Sequence, residues 1–329
     1  MNRKFKKCLI TGITGSGGSY LCETVLKKDK HIKIFGTYRS KKKLNNLLNL
    51  LKNHLHKRIT FIKLNLKNKK KFKQVLKKVK PDLIFNVAFN ADVRGSFDTP
   101  EEIMTNNYLI TVNLLESIRV LKLKSLIITC SSSEVYGNVK KKETPIKENQ
   151  PMRPVSPYAV SKAFQDLISQ VYCKSYGLNI IITRMFSYTN ARRLNLFMSA
   201  FANQIAKIEM GQIKKLKHGN LNSVRCFQDI DDAMNAYWLT AKHGKVGEIY
   251  NIGGEKIISV KGYLKELIKL SKKKIVLELD SALLRPQDVS FQLPDVSRFK
   301  NDVKWNTKVG FKESVKKLLD DCRKSLKTK

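Results

Sequence analysis

Acidic residues are scarce in this 329-residue chain: 27 Asp and Glu stand against 64 Lys and Arg, a formal charge of +37. Such a surplus ordinarily points to nucleic acid or anionic membrane, but arginine is scarce too. Lysine outnumbers it 51 to 13 and falls in runs at 41–43, 69–71 and 272–274, with no basic stripe interleaved with aromatics. Readers of phosphates and bases lean on the guanidinium fork. The charge therefore reads as a solvated lysine-rich surface, and neither nucleic acid nor membrane is expected as a partner. No apolar run approaches the roughly 18 to 20 residues that span a bilayer. The basic start MNRKFKK leads into a strand-like segment too short for a secretory signal. The six cysteines lack a C-x-x-C pair or a histidine partner pattern, which argues against zinc and against a disulfide framework and fits a reducing cytoplasm. There is no Pro/Gly/Ser linker, no internal repeat and no low-complexity segment beyond the lysine runs.

What is present alternates. Apolar runs at 8–10, 33–37, 60–64, 83–87, 126–129 and 180–183 are separated by helical patterns at 20–27, 70–78, 104–121 and 156–176. Strands alternating with helices predict an α/β fold, a doubly wound parallel sheet covered on both faces. After Phe186 the rhythm breaks. We expect a Rossmann-like domain over 1–186 with a return segment at 222–252, and a smaller α/β substrate-binding lobe from 187–221 and 253–329.

The first strand passes into the first helix through TGITGSGG. Gly12, Gly15 and Gly18 leave room for a tight turn and for a pyrophosphate against the backbone amides and positive helix end, with Ser16 in the same turn. The second strand ends in GTYRS, where an NAD site normally presents a carboxylate to the ribose. Arg39 and Ser40 stand there instead, and a cation with a hydroxyl suits an adenosine 2'-phosphate, so NADP is expected over NAD. Downstream, Tyr158 and Lys162 in SPYAVSK are four apart on a predicted helix and share one face. An ammonium beside a phenol stabilises the phenolate, which makes the tyrosine an acid or base near neutral pH.

TGITGSGGSYL, SSSEVYG, SPYAVSK, VRCFQDIDDA and LRPQDV together resemble the extended short-chain dehydrogenase/reductase family acting on nucleotide sugars. The closest likeness is to the branches of the GDP-mannose 4,6-dehydratases and the GDP-4-keto-6-deoxymannose reductases. The resemblance implies that Tyr158, with Lys162 lowering its pKa and Ser132 bonding the same oxygen, takes the proton from the hydroxyl on sugar carbon 4 while NADP accepts hydride. Glu134 would remove the carbon 5 proton, and Ser133 would protonate the hydroxyl leaving carbon 6. It further implies that Asn65, Leu66 and Ala88 line the cofactor. Ser187, Asn190, Arg192, Arg225 and Arg285 would hold a GDP-sugar, and the chain would pair into a homodimer or homotetramer through helices near 104–121 and 156–176. Ser187 stands where the family usually has asparagine, Cys226 where it has aspartate, and Asn65 where an aspartate often meets the adenine. Three alternatives stay open: a 4-ketoreductase, an epimerase, and a basic nucleotide- or RNA-binding protein without turnover. No metal is expected.

Overall fold

A parallel strand with helices on both sides must be apolar on both faces, and the first strand shows how that is met. Cys8 and Ile10 enter one core and Leu9 the other, because successive side chains of a strand alternate. The computed structural model describes residues 2–51 and 53–327. In chain order the first half comprises β1 (Lys7–Ile10), α1 (Ser16–Lys28), β2 (Lys33–Tyr38), α2 (Lys41–Leu50), α3 (Asn53–His56), β3 (Ile59–Lys63), α4 (Lys69–Val79), β4 (Leu83–Asn86), α5 (Pro100–Val120), β5 (Leu126–Ser132), α6 (Pro157–Tyr176) and β6 (Ile180–Met185). The second half adds α7 (Phe197–Glu209), β7 (Leu216–His218), β8 (Val224–Phe227), α8 (Ile230–His243), β9 (Ile249–Ile252), β10 (Lys256–Ser259), α9 (Val260–Lys269), β11 (Leu277–Leu279), β12 (Phe291–Gln292), α10 (Ser297–Val303) and α11 (Phe311–Lys327).

The main sheet has seven strands in the order β3-β2-β1-β4-β5-β6-β9, every pair parallel. The order turns back between β1 and β4, which opens a crevice at the carboxyl ends of these strands. One sheet face packs Leu21, Val25, Phe85, Ile128 and Trp238; the other packs Phe72, Ile84, Leu114, Ile127 and Ile182. Each such side chain contributes about 1.5 to 3 kcal/mol through burial. The smaller lobe has its own core, where Phe201 and Ile205 of α7, Tyr263 and Leu267 of α9, and Val315 and Leu319 of α11 meet. Its strands are short: β10-β8-β12 form one sheet and β11-β7 another.

The return segment differs from expectation. β8 pairs with β10 and β12 in the lobe, whereas α8 and β9 complete the main sheet side. Phe299 and Val303 of α10, with Trp305, also join the main core, because Phe299 packs between Tyr250 at 5.7 Å and Trp305 at 5.5 Å, ring centre to centre.

Several arginines tie the chain through backbone carbonyls. Arg58 donates to the carbonyls of Leu26, Asp29 and Ile32 around the end of α1. Arg3 donates to those of Ala241 and Gly244 at 3.2 and 2.7 Å, securing the end of α8. All six cysteines are free. No described helix is long and apolar enough to cross a membrane, and the described residues contain no cluster of metal-ligating side chains.

Candidate active site

The crevice at the switch point widens into a cleft of about 630 Å³ between the main sheet and the lobe. At its floor Gly12 adopts φ +64°, and a Cβ there would lie 3.0 Å from Ala88. A Cβ on Gly18 would fall 2.4 Å from the Gly12 carbonyl oxygen, so the turn closes only without side chains. Gly15 caps α1 with no side-chain hydrogen bond, and no acid stands in the first helical turn. The α1 amides are thus left for an anionic group, and the residues fit the pyrophosphate of a dinucleotide. Gly15, Ser16 and Gly18 line the cleft. Ala88 backs the turn, its amide bonded to Thr11 Oγ1 at 3.1 Å.

Arg39 is exposed just beyond β2, and Ser40 caps α2, its hydroxyl accepting from the Lys43 amide at 3.3 Å. Asn65 is exposed after β3, with its carbonyl oxygen accepting from the Lys67 amide at 3.1 Å. Leu66 buries its side chain in the core, and its carbonyl accepts from Asn113 Nδ2 at 3.0 Å.

One wall carries the reactive groups. Ser132 ends β5 and accepts from the Glu134 amide at 3.2 Å, starting a short helical turn that sets Ser133 and Glu134 in the cleft. On α6, Ser156 Oγ accepts from the Ala159 amide at 3.1 Å and Pro157 occupies the first turn. That start places Tyr158 and Lys162 on the face lining the cleft. Burial pushes the Tyr158 pKa up to about 12, against the opposing pull of Arg193 and of Ser132. Burial also brings Lys162 down to about 7. Lys162 Nζ donates to the Cys130 carbonyl at 2.6 Å and to Gln165 Oε1 at 3.0 Å, and it stands 3.8 Å over the Phe89 ring. In this arrangement the hydrogen bonds of the ammonium go to a carbonyl and an amide, not to the phenol. Spacing of four puts the two groups on one face, but the ammonium finds a carbonyl there, and desolvation dominates both groups.

The opposite wall comes from the lobe. Arg225 and Arg285 converge on Asp288, at 3.6 and 3.5 Å, and all three line the cleft together with Ser187. Gln292 reaches across to Glu134, Nε2 to Oε1 at 3.1 Å. Two expected ligand residues are elsewhere. Arg192 donates to Ser19 Oγ at 2.9 Å and to Glu23 Oε1 at 2.6 Å and lies 3.7 Å over the Tyr20 ring, fastening its loop to α1. Asn190 is buried beneath that loop, its Oδ1 accepting from the Arg192 amide at 3.0 Å. The neighbouring Arg193 takes the cleft position: it donates to the Ala91 carbonyl, and its charge acts on both Tyr158 and Lys162. The Arg-Arg pair signalled an arginine here without saying which. Asp288 lay inside LRPQDV; Gln292 had no signal at all.

A doubly wound sheet with serine, tyrosine and lysine at its carboxyl edge and a second lobe closing over them defines an extended short-chain dehydrogenase/reductase of the nucleotide-sugar-modifying kind. Residues 9–318 match the GDP-mannose 4,6 dehydratase family, and the chain belongs to that family. It is 28% identical to the GDP-mannose 4,6 dehydratase of Cricetulus griseus, covering 95% of this chain and 90% of that protein. Among solved structures it resembles the dTDP-glucose 4,6-dehydratase of Bacillus anthracis, in complex with NAD, at a TM-score of 0.83 and 25% identity, with 98% of each chain covered. It also shares the fold of RMD from Pseudomonas aeruginosa, complexed with NADPH, at a TM-score of 0.79 and 20% identity over 97% of this chain and 99% of that one.

Proposed function

We propose that this protein converts GDP-mannose to GDP-4-keto-6-deoxymannose with NADP as a resident cofactor. The observation that carries the reading is the carboxylate of Glu134 in one cleft with Ser132 and Tyr158. Elimination of water needs a base for the carbon 5 proton, and reduction of a ketone does not. Tyr158 takes the proton of the carbon 4 hydroxyl, which Ser132 orients, while the buried Lys162 holds the nicotinamide ribose. When bound, the nicotinamide would supply the hydride chemistry, taking hydride from carbon 4 and delivering it to carbon 6. The ketone acidifies carbon 5, Glu134 removes that proton and later returns it, and Ser133 relays a proton to the hydroxyl leaving carbon 6. The proton lost at carbon 4 thus departs in the water, and the sugar changes by one water alone. Arg225 and Arg285 suit the diphosphate, since paired guanidinium groups bind phosphate oxygens bidentately.

Arg39 and Ser40 beyond β2 support NADP over NAD, and the six free cysteines accord with a cytoplasmic location. Met104 and Tyr108 of α5 and Val160, Leu167 and Val171 of α6 are large exposed apolar side chains, which supports a homo-oligomer joined through these helices.

Incubation with GDP-, UDP-, CDP- and dTDP-sugars, read by mass, should show loss of one water from GDP-mannose without net use of added NADPH. Glu134→Gln keeps the shape and loses the base, so water loss should stop while bound reduced nicotinamide builds up in the absorbance. Oxidation of NADPH with a GDP-4-keto-6-deoxy sugar, with GDP-mannose untouched, overturns the reading. Equal affinities for NADP and NAD overturn the cofactor assignment.

A further inference from the structure

Glu134 hangs from the main-sheet wall, but its carboxylate is held from the other side. The hydrogen bond on it comes from Gln292 Nε2, 3.1 Å from Oε1, and the described residues give Oε2 no hydrogen bond. Gln292 is 2% exposed, so this amide is no mobile surface group. It sits in the two-residue strand β12, whose parallel register sets it beside Arg225 of β8. Arg225 is also buried and adds its charge to Glu134 without a hydrogen bond.

The choice of an amide has a chemical consequence. A cation bonded to a carboxylate fixes it and also weakens it as a base, because the ionised form is stabilised; a neutral donor fixes it at a smaller loss of basicity. The titratable and charged groups lining the cleft with Glu134 are Asp92, Arg94 and Asp98 from the segment after β4, Cys130 of β5, Tyr158 and Lys162 of α6, Tyr188 and Arg193 from the loop before α7, Lys217 of β7, Arg225 of β8, Tyr237 of α8, and Arg285 and Asp288 before β12, and of these Tyr158 and Arg225 interact electrostatically with it. Gln292 is the neutral member of this ring that bonds the carboxylate.

We infer that Gln292 is the positioning residue for Glu134: it grips Oε1 and leaves Oε2 to meet the carbon 5 proton. This rests on the dehydratase reading above. The lobe then aims the base as well as holding the nucleotide.

The test uses Gln292→Leu and the isosteric Gln292→Glu in the full-length protein with NADP, with cofactor affinity as the check on folding. Gln292→Leu should lower kcat for water loss by about 10-fold or more, the scale of one hydrogen bond to a charged group. The KM for GDP-mannose should stay within about twofold, since one unmade contact to the base leaves nucleotide binding alone. Reduced nicotinamide should build up on the enzyme as it does in Glu134→Gln. Gln292→Glu sets a like charge against the base, so the acid limb of kcat should move up by about one pH unit. The positioning role is overturned if Gln292→Leu turns over at the wild-type rate, if its loss lies in KM alone, or if Gln292→Glu leaves the acid limb in place. Should Gln292→Leu fail to fold, the limb in Gln292→Glu decides. If the wild-type protein removes no water from GDP-mannose and Glu134→Gln changes nothing, the dehydratase reading falls instead.

Discussion

The two walls of the cleft are built by different means. The sheet-side wall takes Ser132 from the end of a seven-residue strand and Tyr158 and Lys162 from a 20-residue helix. The lobe wall takes Arg225 from a four-residue strand, Gln292 from a two-residue strand, and Arg285 and Asp288 from the segment between. Long elements fix side-chain geometry through local spacing, whereas short ones fix it only through what they pair with. The side chains proposed for the chemistry thus stand on or beside long elements, and those proposed for recognition on or beside short ones.

The division of labour breaks first at Tyr158. Tyr158→Phe keeps the ring and removes the oxygen, so turnover should fall by roughly 100-fold or more while NADP still binds. Wild-type-like turnover would place the acid–base work elsewhere. Arg225→Met should act on the other wall alone, lowering kcat/KM by about 10- to 100-fold, mostly through KM, as expected for a lost hydrogen bond between charged groups. Steady-state kinetics and a cofactor titration read both halves, and a weakened cofactor affinity would show that the walls are not separable. Arg192→Ala should have the smallest effect. Its ion pair with Glu23 is partly exposed, so thermal denaturation should show a loss of about 1 kcal/mol or less, with kcat/KM near wild type. A large rise in KM would return Arg192 to the substrate site.

The same contrast governs what the chain discloses before it folds. The glycine turn, the six early strands and the Tyr-x-x-x-Lys face repeat at strand or helix period, so they are readable locally. Even there the spacing shows adjacency and not partnership: Lys162 bonds the Cys130 carbonyl rather than the phenol. In the lobe a two-residue strand has no period to read. The bond from Gln292 to Glu134 joins residues 158 apart in sequence, beyond the reach of any local pattern. Arg192 and Arg193 mark a third kind of gap, since only the path of the backbone decides which of two neighbours enters the cleft. β8 lies inside the segment expected to return to the main domain, and its place is set instead by its pairing with β10 and β12, which no local pattern discloses.

The guanidinium groups of Arg3 and Arg58 that end on backbone carbonyls answer the shortage of acids with which the chain begins. A carbonyl is supplied by every residue whatever its side chain, so substitutions at Leu26, Ile32 or Ala241 that leave the backbone in place leave these ties intact. No carboxylate is consumed in either tie. A protein whose surface drifts toward lysine can in this way surrender most of its acidic side chains and still keep its ends of helix and strand fastened.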